Sequence, residues 1–270
     1  MNIIRNIFQA IYNMINHDGV EHAGYMAFIM ILSIFPFFVF ILAFANFVHM
    51  SELGQLFVEI VIQNLPQYSA ESIKMGVSEF QTAPPEELLT LAVIGAMWTS
   101  SSFVECLRTI LNRVYRVYNA PNYILRRLLS IFQFLIISFT ILFAMLILVI
   151  VPSIIDELNS VTNLVDDNLD LVDILRYSVI FLALFFTVSS LYYFIPNIKL
   201  NFIEVIPGTF LVISFWFISG YLLSEYISYY NQFNVIYGSL GSIIITLIFF
   251  YIINMIFIIG AEFNYLVFRN

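Results

Sequence analysis

The chain has 270 residues, of which 61% are hydrophobic and only 10% charged, with a formal net charge of −8. A soluble domain carries about 25% charged residues, so composition alone excludes an ordinary soluble fold and places the chain among membrane proteins. The acidic balance argues against a nucleic-acid partner, which would need clustered Lys and Arg. A lone cysteine, Cys106, excludes an internal disulfide.

In chain order, the first pattern is a stripe of Ile4, Ile7, Phe8, Ile11, Tyr12 and Ile15 at helical spacing, ending near Asp18-Gly19. It predicts an amphipathic interfacial helix under the first span. Six apolar runs then follow, at about 23–48, 88–107, 128–151, 174–194, 205–226 and 238–267. Each reaches the roughly 20 residues needed to cross a bilayer. Backbone groups have no water to bond in hydrocarbon, so such runs are read as helices. The first run is too long for the core of a cleavable signal and lacks a small-residue cleavage site, so it is expected to be an uncleaved anchor. Between runs one and two, the stripes Leu53, Leu56, Phe57, Ile60, Val61 and Ile73, Val77, Phe80 predict two short amphipathic helices. The segment 152–173 is expected to be an acidic outer loop. The fold class is thus an all-α, polytopic bundle of about six transmembrane helices, forming a single membrane domain over 1–270.

Basic residues set the orientation. Arg108, Arg113, Arg116, Arg126 and Arg127 fall between runs two and three, Lys199 between four and five, Arg5 before run one and Arg269 after run six. With six spans, all of them lie on one side. Both termini are therefore expected in the cytoplasm, with the chain in the inner membrane.

Several residues inside or beside the spans invite a chemical reading, and each has a bland alternative. Pro36 removes a backbone donor near mid-membrane, giving either a hinge or a fixed packing kink. Trp98 is followed by Thr99, Ser100, Ser101 and Ser102, small hydroxyl residues that either let helices approach or line a path. Glu105, Glu225 and Glu262 sit at span ends, where a carboxylate opposes the helix dipole and wants a cation. Arg108, three residues on, supplies one for Glu105. Glu262 is expected to pair across helices with a cytoplasmic arginine. The reading for these carboxylates is divided between anchoring and proton relay. The arginines of the inner loop alternate with Tyr115, Tyr118 and Tyr123, a mix that serves as a positive-inside anchor or binds anionic lipid headgroups. His17, His22 and His49 do not converge as zinc ligands. There is no nucleophile elbow, phosphate loop or dinucleotide fingerprint. No catalytic residue, metal or cofactor is expected; membrane lipids are the expected partners.

Further motifs carry a family resemblance. Ala23-Gly24-Tyr25-Met26-Ala27-Phe28 leads to Ser33-Ile34-Phe35-Pro36 in span one. Trp98-Thr99-Ser100-Ser101 follows in span two, and Leu111-Asn112-Arg113-Val114-Tyr115 just after it. Pro207-Gly208 stands at the entry to span five, with Tyr237-Gly238-Ser239-Leu240 and Gly260-Ala261-Glu262-Phe263-Asn264 around span six. In this order, over nearly the whole chain, these segments resemble the YihY/BrkB family of membrane proteins, once labelled ribonuclease BN. The chain departs from it in lacking most of the polar C-terminal tail of many relatives and in Phe249-Phe250, where a Trp is common. The resemblance implies a six-helix inner-membrane protein tied to envelope integrity, with lipid movement as the activity and no enzymatic role. It marks Pro36, Trp98, Ser100, Asn112, Tyr115, Pro207, Gly208, Tyr237, Gly238, Gly260, Glu262 and Asn264 as motif residues. The alternative is a scaffold without transport; the least favoured is a ribonuclease.

Overall fold

The computed structural model describes residues 3–47, 86–117, 122–140, 169–229 and 240–269. Regular structure among them is entirely helical. In chain order the helices are α1 (Ile3–Asn16), α2 (Gly19–Phe47), α3 (Glu86–Val114), α4 (Tyr123–Thr140), α5 (Leu169–Phe194), α6 (Phe202–Tyr229) and α7 (Leu240–Phe268). Among the described residues, four segments are long and apolar enough to cross a membrane: Gly19–Ala43, Tyr123–Thr140, Phe202–Leu223 and Ile244–Phe268. A fifth apolar segment, Phe181–Phe194, is shorter, and α3 runs for 29 residues but carries Glu105, Arg108 and the hydroxyl run. The amphipathic stripes expected between residues 53 and 80 lie outside the described residues.

The helices outrun the apolar stretches. Arg108 and Arg113 lie on α3, and Arg126 and Arg127 on α4, so Arg116 alone of the five occupies the link between them. Asp170 and Asp173, expected in the acidic loop, fall in the first turns of α5, where carboxylates are favoured by the exposed amides of a helix start. α3 ends in a Schellman motif. The Val117 amide donates to Asn112 O at 2.8 Å and the Arg116 amide to Arg113 O at 3.0 Å. Arg116 holds the left-handed position, at φ 57°, that glycine usually takes. At the start of α6, Asn201 caps the helix: its carbonyl accepts from the Glu204 amide at 2.9 Å and its side chain donates to Glu204 Oε1 at 2.8 Å.

α7 is the centre of the bundle, touching α1, α2, α3 and α6. Residues 256–264 are buried without interruption, so α7 is enclosed on every face there. Toward its other end Leu247, Ile248 and Phe249 are exposed, as are Phe217, Ile218, Tyr221 and Leu222 on α6. An apolar shell of this kind suits a lipid solvent. α1 packs chiefly on α7 and only lightly on α2. That corrects the expectation of a helix beneath the first span. Ala10 and Met14 form its buried seam, while Ile4, Phe8, Tyr12 and Ile15 of the apolar stripe stay exposed.

Candidate functional site

The motif residues converge on one end of the bundle. The tightest point is the crossing of α6 and α7. A Cβ built on Gly208 would collide with Gly260 O and the Asn264 amide, and one on Gly260 with the side chain of Val212 and, at 2.6 Å, Tyr192 Oη. Only glycine allows the two backbones to meet. Pro207 lies inside α6 rather than at its entry, and it denies the helix one backbone donor. Next to it, Gly208 N donates to Asn264 Oδ1 at 2.6 Å, and Asn264 Nδ2 donates to Val205 O at 3.2 Å. The buried Asn264 amide thus stitches the two helices together at the proline turn. α5 joins the seam through Tyr192, whose buried hydroxyl donates to Phe257 O at 2.5 Å, and through Ser189, which donates to Thr209 Oγ1 at 3.2 Å.

A second cluster links α3, α4 and α5. Glu105 faces Arg126 Nε at 3.3 Å and Arg108 Nε at 3.8 Å, and its Oε2 accepts from Ser130 Oγ at 2.7 Å. The local pair with Arg108 is therefore present but secondary. The buried Arg108 guanidinium donates instead to Arg126 O at 3.4 Å and to Gln133 Oε1. Gln133 passes the contact on, donating to Phe194 O at 2.6 Å. Asn112 Oδ1 accepts from the Asn197 amide at 2.7 Å, tying α3 to the segment after α5. Tyr115 is buried in the turn after α3, which pushes its phenol pKa up, and its ring meets Tyr265 edge-on at 6.5 Å. Trp98 faces outward, roofed by the Arg127 guanidinium at 4.2 Å from its ring. Ser100 donates to Ser33 O at 3.5 Å, one residue from the carbonyl that Pro36 leaves without its usual donor. Pro36 itself lies within α2 and does not end it.

The third feature corrects an expectation. Glu262, fully buried on α7, meets His17 Nδ1 at 2.9 Å rather than an arginine. The reason is placement: α1 docks on α7 and brings the histidine at its end over the carboxylate. Oε2 of Glu262 has no hydrogen bond of standard geometry, though the Asn13 side chain stands close. Beyond this pair opens a cavity of about 660 Å³ lined by His17, Asn112, Arg113, Arg116 and Arg126 among others. Arg113 is held by Asp18 and, at 3.2 Å, by His22 Nε2. Outside the residues that line the cavity, Arg269 binds Glu204 at 3.2 Å and Lys199 O at 2.9 Å. Among the described residues no group of three or more metal-ligating side chains gathers.

Between α4 and α5 lies a narrower groove of about 210 Å³, walled by Phe132, Ile136, Leu191 and Phe194 with Gln133, Thr140, Thr187 and Ser190 along it. Sequence reasoning missed its one amide, Gln133, and weighed His17 only as a zinc ligand. Gln133 is visible as an isolated amide in an apolar run, but its partners come from α3 and α5. Tyr237 and Gly238 lie outside the described residues.

Known proteins resemble the chain over most of its length. A family profile described as Virulence factor BrkB matches residues 10–270. A protein of Bacillus subtilis (strain 168) named ribonuclease-like, YfkH, is 31% identical over 256 residues, 94% of this chain and 92% of that protein. A UPF0761 membrane protein of Photobacterium profundum is 27% identical over 264 residues, covering 92% of this chain and 76% of its own. One from Vibrio parahaemolyticus is 26% identical over 264 residues, 94% and 80%. No solved structure matches.

Proposed function

Because the chain belongs to the Virulence factor BrkB family of membrane proteins, we propose that it transports or exchanges a lipid or similar amphiphile and so supports the cell envelope. The observation that carries this reading is the α4–α5 groove. Its walls are aromatic and aliphatic, as an acyl chain requires, and its polar members lie along it where a headgroup or water must pass. We read α2 to α7 as six spans of one domain over 1–270 in the inner membrane, with both termini cytoplasmic. The gathering of Arg108, Arg113, Arg116, Arg126, Arg127 and Arg269 at one end supports that direction. In the same reading α1 lies in the inner interface, its exposed stripe toward lipid, and the protein is not an enzyme.

Reconstitution with fluorescent phospholipids tests the proposal. The protein should speed lipid movement between leaflets or vesicles, and Ser190→Phe, which fills the groove, should remove that effect while the protein stays folded. Lipid movement no faster than in protein-free vesicles would sink it. The scaffold reading draws on a different observation, the rigid α6–α7 seam locked by two glycines and Asn264. That reading would gain if a stable partner crosslinked to the bundle while lipid movement was unaltered.

A further inference from the structure

The cavity beside the His17–Glu262 pair is built around arginines whose charges are unequally spent. Arg113 is met by Asp18 and Arg126 by Glu105. Glu262 is met by His17. Arg116 makes no salt bridge with a described residue. Its guanidinium carbon instead sits over the Tyr265 ring, 4.5 Å from the centroid. Stacking occupies the face of a guanidinium and leaves its N–H edge available for bonding in the plane.

The backbone beneath Arg116 adds an independent observation. Its φ of 57° puts a long side chain in a conformation that costs an L-residue energy and that glycine would take freely. Holding an arginine at a glycine position, against a cavity wall, is the pattern expected when the side chain is needed there. Asn112 and Thr109 of α3 line the same cavity and add an amide and a hydroxyl. Arg116 thus brings a guanidinium without a salt bridge among the described residues, beside two further forked donors, to a space large enough for a small polar molecule.

We propose that this cavity binds a singly charged phosphodiester, with Arg116 as the principal ligand and Arg113 and Arg126 completing the cradle. Three guanidinium groups lining one cavity select an anion, and the amphiphile reading narrows it to the phosphodiester that lipid headgroups carry. The guanidinium fork matches two phosphate oxygens. Such a group is presented by the headgroup of an anionic phospholipid or by a free glycerophosphodiester, and the chemistry is the same for both. The inference gives the amphiphile reading a headgroup class, yet it is tested by binding alone. A protein that binds but does not move lipid would fail the transport reading and leave this one standing.

The test is titration calorimetry of the full chain in a maltoside detergent, which carries no phosphate. Three probes are used: dihexanoyl phosphatidylglycerol, glycerophosphoglycerol and inorganic phosphate. Arg116→Gln and Arg116→Gly should each weaken binding about ten-fold or more, the loss expected for a charge-assisted contact. The glycine variant guards against misfolding, since it relaxes the backbone and should melt no lower than the parent. Arg269→Gln, outside the cavity, removes the same charge and should leave binding unchanged. Binding of both glycerol-bearing probes supports the site; binding of the lipid alone assigns it to membrane lipid, binding of glycerophosphoglycerol without the lipid assigns it to a soluble phosphodiester, and binding of inorganic phosphate alone would overturn the diester assignment. No binding by any probe, or equal weakening in the Arg116 and Arg269 variants, would overturn the proposal.

Discussion

The α6–α7 seam and the α4–α5 groove are both helix pairs in the same bundle, and they solve opposite problems. At the seam, glycine faces glycine, and the Asn264 amide supplies bonds beside a proline turn. At the groove, Phe132, Ile136 and Phe194 line the space between the helices, and among the described residues Gln133 bridges them by donating to Phe194 O. In a lipid solvent apolar surface gains little by leaving lipid for protein. Close approach and hydrogen bonds therefore decide which pairs lock, while bulky apolar faces leave room for a guest.

Substitutions can break this contrast from either side. The largest effect is expected at Gly208→Val, which drives a branched side chain into the α7 backbone. Overpacking costs about 1–3 kcal/mol where neighbours can move, and backbone cannot, so loss of folded protein is expected in detergent-solubilised chromatography. Asn264→Leu should come next, at about 1–3 kcal/mol, by removing the two buried bonds that the amide makes to Gly208 N and Val205 O; thermal melting in detergent measures it. Wild-type stability in that variant would mean the seam rests on glycine contact alone.

Smaller changes test the edges of the comparison. Glu262→Ala removes the contact that pins the end of α1, so amide exchange over Ile3–Asn16 should quicken while α6 and α7 stay protected. The expected cost is about 1–2 kcal/mol, confined to α1. Arg116→Gly should be neutral or raise stability by up to about 1 kcal/mol, because it relieves a left-handed backbone. Last, Ser190→Phe should shift stability by less than about 1 kcal/mol, since it fills space rather than cutting a bond. Its effect should appear in lipid movement instead, the reverse of the pattern at Gly208.

The apolar runs located the helices α2 to α7, four of which hold a segment long and apolar enough to cross a membrane, because length and hydropathy are local properties of the chain. Chain order and charge likewise indicated that the arginines would gather, and the motifs marked Gly208, Gly260 and Asn264 before their roles were known. Helix ends were misjudged where helices continue past the apolar stretch: Arg108, Arg113, Asp170 and Asp173 belong to helices because backbone bonding does not stop where hydrophobicity does. Tertiary structure alone decided that Glu262 meets His17, 245 positions away in sequence, that Asn264 serves the proline turn of α6, and that α1 rests on α7. Partnerships of that kind depend on which faces of two helices come together. The sequence of each helix specifies its faces and leaves the pairing to the packed bundle.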